Sequence, residues 1–295
     1  MEKERREAMA LIILRRMSEK YSDSWFNSKT ELIGFAKQLL DETGKRLFSV
    51  RKNSDKKNFV DFCERCTAGN FIEGDGEMAI ATLQLDAVGK MNGLQKKGDK
   101  RFAPHITADE VREIFTDFKL TKEERLDAVS LLEWLKKDAF EKVTRKIKRE
   151  KTALMIAHKR NLIVKAPWYS SKREQNSVAG QLRNEMDKLM FPEKKDKLTF
   201  ADFLERTITG KYIDGDGEIA VAWVIFHYRH KMVWLSKEKK ERFKPYVTID
   251  EVEETFTDEE EIGPLQLSQK QLLDLLSLID WVKSLTYKKV TRSSK

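Results

Sequence analysis

Apolar residues recur along this chain at helical spacing, and alternation of period two is nearly absent. Ala8–Arg16 carries a dense apolar run between charged flanks, which predicts an amphipathic helix. Over Thr30–Leu40, Ile33, Ala36, Leu39 and Leu40 keep the spacing of one helical face. Phe59–Thr67 places Phe59, Phe62, Cys63 and Cys66 on a single face, and Gly69 follows as a C-cap. Another helix begins in Glu77–Leu85. Thr107-x-x-Glu110, Thr121-x-x-Glu124 and Thr248-x-x-Glu251 are capping boxes, each opening a helix by pairing side chains with first-turn amides. From Lys122 to about Ile163 neither Gly nor Pro interrupts the helical pattern, and Pro167 ends it. Strand signals shrink to very short stretches at Phe71-Ile72 and Tyr212-Ile213. The expected fold class is all-α.

The pattern is written twice. Phe59–Ala81, FVDFCERCTAGNFIEGDGEMAIA, matches Phe200–Ala222, FADFLERTITGKYIDGDGEIAVA. Arg101–Asp117 matches Arg242–Asp258, Trp134 matches Trp281, and Val143-Thr144-Arg145 matches Val290-Thr291-Arg292. Near the front, Arg5-Arg6-Glu7 and Ala10-Leu11 match Lys148-Arg149-Glu150 and Ala153-Leu154. This predicts a tandem duplication of a helical domain, 1–147 and 148–295, with a continuous long helix available to join the copies. Between the two matched blocks the copies diverge, and Ile219–Leu235 is the more apolar version of its helix.

Composition narrows the class. Charged residues make up 36% of the chain, yet 16 Phe and 6 Trp supply the apolar bulk that a disordered polyelectrolyte lacks. Two Cys exclude a disulfide framework and fit a reducing, intracellular setting, cytoplasmic or nuclear. No apolar run approaches membrane-spanning length and no secretory signal opens the chain, so no membrane role is expected. The net charge of +8 gathers at the predicted junction, where Lys142, Arg145, Lys146, Lys148, Arg149 and Lys151 cluster, and is echoed by Lys288, Lys289 and Arg292. Such stripes attract phosphates, which makes these nine residues candidate nucleic-acid contacts. Lys96, Lys97, Lys100 and Arg101 form a further cluster, matched by Lys237, Lys239, Lys240 and Arg242. Aromatic residues are not read as interleaved with these clusters, so stacking on single strands is not expected.

The most distinctive motif is Glu73-Gly-Asp75-Gly-Glu77, repeated as Asp214-Gly-Asp216-Gly-Glu218. Carboxylates at alternate positions around two glycines are candidate ligands for a hard cation. In its helix–loop–helix setting the motif resembles an EF-hand. Glu73 or Asp214 takes the third loop position, Asp75 or Asp216 the fifth, and Gly76 or Gly217 the sixth. The resemblance implies calcium binding, but Phe71 or Tyr212 stands at the first position and Thr82 or Trp223 at the twelfth, where carboxylates are needed. The structural alternative makes Asp75 and Asp216 N-caps of the following helices, with Glu77 and Glu218 at their positive ends.

Three lesser features have bland readings. Cys63-Glu-Arg-Cys66 lacks a second ligand pair and lies on an apolar face. His227 and His230 lie one turn apart, in one copy only. Trp134 and Trp281 are expected in the core. The resulting expectation is a non-enzymatic helical scaffold or assembly protein, without cofactor, that binds nucleic acid at the junction and a protein partner or itself. A metal- or calcium-responsive regulator using the acidic loops is the alternative, and a metal-dependent enzyme with an acidic-loop site the second alternative.

Overall fold

A computed structural model describes residues 2–20, 54–117, 120–164, 171, 173, 177–179, 182, 196–248, 251 and 267–293. Among the described residues the regular structure is entirely helical. Its helices are α1 (Lys3–Lys20), α2 (Ser54–Ala68), α3 (Asp75–Lys96), α4 (Ala108–Asp117), α5 (Lys122–Val164), α6 (Asp196–Thr209), α7 (Asp216–Lys237) and α8 (Gln269–Ser293). The helix expected over Thr30–Leu40 and the proline expected to stop α5 lie outside the described residues. Phe71-Ile72 and Tyr212-Ile213 form no bridge. No described helix is long and apolar enough to cross a membrane.

The capping boxes form as their spacing requires. The Glu110 amide donates to the Thr107 hydroxyl at 3.3 Å while the Thr107 amide donates to the Glu110 carboxylate at 2.7 Å. Thr121 and Glu124 repeat both distances at the start of α5. Ser268 and Gln271 do the same at the start of α8, at 3.3 and 3.0 Å, a further box of the S-x-x-Q pattern. Gly69 closes α2 in the left-handed region, φ 72°, and donates to the Arg65 carbonyl at 2.8 Å.

The chain divides into two compact units, Met1–Thr144 and Arg145–Lys295, and the division falls within α5. In the first, α1 packs on α2 and α3. Its core combines Met9, Ile13 and Leu14 of α1 with Phe59, Phe62 and Cys66 of α2, Met78 and Leu83 of α3, and Leu131 and Leu135 of α5. In the second, α7 packs on α8. Ile156 of α5, Phe200 and Phe203 of α6, Trp223, Tyr228 and Met232 of α7, and Leu278 and Val282 of α8 are buried together with Val178 and Leu182. Phe59–Phe62 and Phe200–Phe203 each stand with ring centroids 6.0 Å apart.

Each unit also carries an ion pair between its capping-box glutamate and a lysine on the helix behind it. In the first unit Lys136 Nζ donates to Glu110 at 2.7 and 2.8 Å and to the His105 carbonyl at 2.9 Å. Burial pushes the Glu110 carboxyl upward, but hydrogen bonds from Lys136 and Thr107 outweigh it and leave the group below its ordinary 4.5. A depressed carboxyl stabilises the fold above its unfolded value and loses that contribution as pH falls through its folded one. The melting temperature of the protein is therefore expected to drop as pH is lowered below 4.5. Glu110→Gln should flatten that part of the thermal-melt profile. A profile unchanged by the substitution would remove Glu110 from the acid response.

Candidate functional site

Each acidic glycine loop is a short connection closed by an arginine. Arg65, in the last turn of α2, reaches Asp75 with two parallel bonds, Nε to Oδ2 at 2.8 Å and Nη2 to Oδ1 at 2.6 Å. The same Oδ2 accepts the Ile72 amide at 3.0 Å. Arg206 grips Asp216 at 2.8 and 2.7 Å, and Ile213 donates to Asp216 at 3.0 Å. Both aspartates are 1% exposed. A bidentate guanidinium–carboxylate pair is strong and geometrically selective, and the bonds to Asp75 and Asp216 hold the Arg65 and Arg206 guanidiniums above their ordinary value. Asp75 and Asp216 are thus clasps. They are not N-caps of the following helices: Gly74 and Gly215 hold that position, with no side-chain cap.

The two glycines of each loop do different work. Gly74 and Gly215 sit at φ 90° and 96°, where a side chain costs about 1–2 kcal/mol. Gly76 and Gly217 permit contact between helices. A Cβ on Gly76 would stand 2.7 Å from Glu7 Cβ, and one on Gly217 would stand 2.7 Å from Glu150 Cβ. That approach brings Lys3 to Glu77 at 2.6 Å in the first unit, and Lys146 to Glu218 in the second. Arg6 lies over the Trp134 ring at 4.7 Å, and Arg149 over Trp281 at 4.0 Å. Trp134 and Trp281 are accordingly half-buried platforms for arginine at the edge of each core.

Of the six carboxylates proposed as metal ligands, Asp75 and Asp216 are saturated by arginine and amide donors. Glu77 and Glu218 are bound to lysines, and Glu73 and Asp214 are exposed. Among the described residues no three His, Cys, Asp or Glu side chains are placed to share a metal ion. Cys66 is buried and Cys63 half-buried, and burial pushes both thiols up to about 12, a setting without thiolate chemistry at neutral pH. His227 and His230 lean on aromatic rings of their own helix, 4.5 Å from Trp223 and 4.5 Å from Phe226 respectively. A cleft of about 630 Å³ in the first unit is lined by Leu83, Ala87, Met91 and Leu132, beside the Lys136–Glu110 pair.

The nine basic candidates separate into two groups. Lys142 pairs with Asp138 at 3.0 Å, Lys148 with Asp274 at 2.7 Å, Lys146 with Glu218 and Glu150, and Arg149 with Trp281. Arg145 and Lys289 are exposed and also have partners. Lys151, Lys288 and Arg292 are exposed on α5 and α8. Lys146, Lys148 and Arg149 thus have partners within the second unit, while Lys142 pairs within the first.

A second basic surface follows α7. Lys237, Lys239, Lys240, Arg242 and Lys244 are all exposed, with Glu238, Glu241 and Phe243 between them. Trp234 and Tyr246 flank this run and are also exposed. No ring lies inside the cluster Lys237–Arg242 itself, but an exposed aromatic stands on either side of it.

No family model, curated protein or solved structure matches this chain.

Proposed function

We propose that the chain is a tandemly duplicated, non-enzymatic helical scaffold that binds nucleic acid through exposed basic clusters. The duplication is supported by contacts that recur at matched positions in both units: Arg65–Asp75 and Arg206–Asp216, Lys3–Glu77 and Lys146–Glu218, Arg6–Trp134 and Arg149–Trp281. Those contacts engage Asp75, Asp216, Glu77 and Glu218, four of the six loop carboxylates that a cation site would use. Two similar units offer two similar faces, which suits bivalent engagement of a partner or of a second copy.

The observation that carries nucleic-acid binding is the exposure of five cations, Lys237, Lys239, Lys240, Arg242 and Lys244, within eight residues. Phosphate contacts of this kind release counterions, so affinity falls with salt by a slope of about −0.9 per neutralised phosphate on a duplex and about −0.7 on a single strand. Fluorescence anisotropy of the full chain with labelled RNA, across a series of salt concentrations, is the test. Lys237→Glu with Lys240→Glu and Lys244→Glu should weaken binding at least about tenfold and flatten the salt dependence by about two phosphates. Affinity unchanged by the triple substitution would dismiss this surface, and an absence of binding at low salt would dismiss the nucleic-acid reading.

A further inference from the structure

We propose that the end of α7 and the turn after it form a site for single-stranded nucleic acid, with bases stacked on Trp234 and Tyr246 and phosphates held by Lys240 and Lys244. The inference rests on the nucleic-acid reading above and adds a substrate class and two recognition residues to it. Trp234 is 53% exposed and Tyr246 56% exposed, although both side chains carry large apolar area that folding normally hides. Lys240 Nζ lies 5.8 Å from the Trp234 ring centroid, and Lys244 Nζ lies 5.8 Å from that of Tyr246. Each exposed ring is therefore accompanied by a cation, the pairing that a nucleotide needs for its base and its phosphate.

The turn that carries these groups is built rather than loose. The Lys240 amide donates to the Leu235 carbonyl at 3.0 Å, and the Phe243 amide to the Lys240 carbonyl at 2.9 Å. Phe243 anchors it on α8, its ring centroid 4.9 Å from that of Tyr287. Lys239 holds φ at 51°, the left-handed region, where the first unit places Gly98 at φ 63°. A lysine at a position suited to glycine is an outlier of the sort that collects at binding surfaces. The first unit shares the turn but not the chemistry. It has Gly93 at the place of Trp234, Asp99 and Ala103 at those of Lys240 and Lys244, and His105 at that of Tyr246. Stacking on these rings requires an unpaired base whose face is open, so a single strand fits and a duplex, whose faces are already stacked, does not.

The experiment compares a labelled 15-nucleotide oligouridine with a 15-base-pair duplex, on the full chain, for the wild type, Trp234→Ala, Trp234→Phe and Tyr246→Ala. Thermal melts confirm that each variant folds. Trp234→Ala and Tyr246→Ala should each weaken single-strand binding about tenfold or more, Trp234→Phe should recover most of it, and duplex affinity should change less than about twofold. Salt-sensitive single-strand binding that ignores both alanine substitutions leaves the electrostatic reading standing and overturns this one. An equal loss on strand and duplex also overturns it. So does a Trp234→Ala variant that binds oligouridine normally but dissociates a self-associated form in sedimentation, because the ring then belongs to a contact between copies. Binding of neither nucleic acid by the wild type defeats both readings together.

Discussion

Lys283→Met will destabilise the second unit by about 3–5 kcal/mol, the scale expected when one member of a buried ion pair is removed. Lys283 donates to Glu251 at 2.6 Å, and their side chains are only 1% and 2% exposed. With its side chain 2% exposed, the orphaned Glu251 carboxylate has little water to turn to. Replacing both partners, Lys283→Met with Glu251→Leu, should return most of the loss, because two apolar groups leave nothing unpaired. The first unit supplies the comparison. Lys136–Glu110 is the matching pair, but its side chains are 10% and 20% exposed. Lys136→Met should therefore cost less, about 1–2 kcal/mol. Urea unfolding of the two variants measures the difference, and equal losses would show that burial does not set the strength of these pairs.

The second large effect is at the loop clasp. Asp75→Ala is expected to cost about 2–3 kcal/mol, below the full value for a buried pair because Arg65 keeps 24% of its side chain in water. Asp216→Ala should cost a similar amount, since Arg206 keeps 20%. The substitution also frees the Ile72 amide that Asp75 accepts, so the turn loses its internal tie as well as its clasp. The result separates the clasp from a cation site. A clasp predicts the loss in metal-free buffer, with no further change on adding millimolar calcium. A cation site predicts wild-type melting in metal-free buffer and the disappearance of a calcium-dependent rise. Thermal melts with chelator and with calcium decide between them.

Much of the local structure was legible because it is set by near neighbours. The face of Phe59, Phe62 and Cys66, the Thr107–Glu110 and Thr121–Glu124 boxes, and the Gly69 stop all depend on residues within one or two helical turns. The uninterrupted α5 followed from the same local logic. What escaped were pairings settled by how helices meet. Asp75 reads as one of three alternating acids until α2 delivers Arg65 to it, although the Glu-Arg step repeated at Arg65 and Arg206 was a visible clue. The Lys136–Glu110 and Lys283–Glu251 pairs span 26 and 32 residues, beyond any periodicity. The candidate phosphate contacts at Lys146, Lys148 and Arg149 were judged by charge alone. Charge does not reveal that Glu218, Asp274 and Trp281 stand opposite them. The exposure of Trp234 is likewise not a matter of periodicity: it lies three turns beyond the buried Trp223 on α7, close to the end of the helix, and is 53% exposed there.

The missing side chain at Gly76 also governs how the first unit opens. Lys3, Arg5, Arg6 and Glu7 occupy little more than one turn of α1, yet they reach Glu77, Asp127, Trp134 and the Gly76 backbone on two other helices. Together they tie one end of α1 to both neighbours, so the amides of α1 are expected to exchange with solvent as a group, and Gly76→Ala, by forcing Glu7 away, should speed their exchange in a hydrogen-exchange measurement.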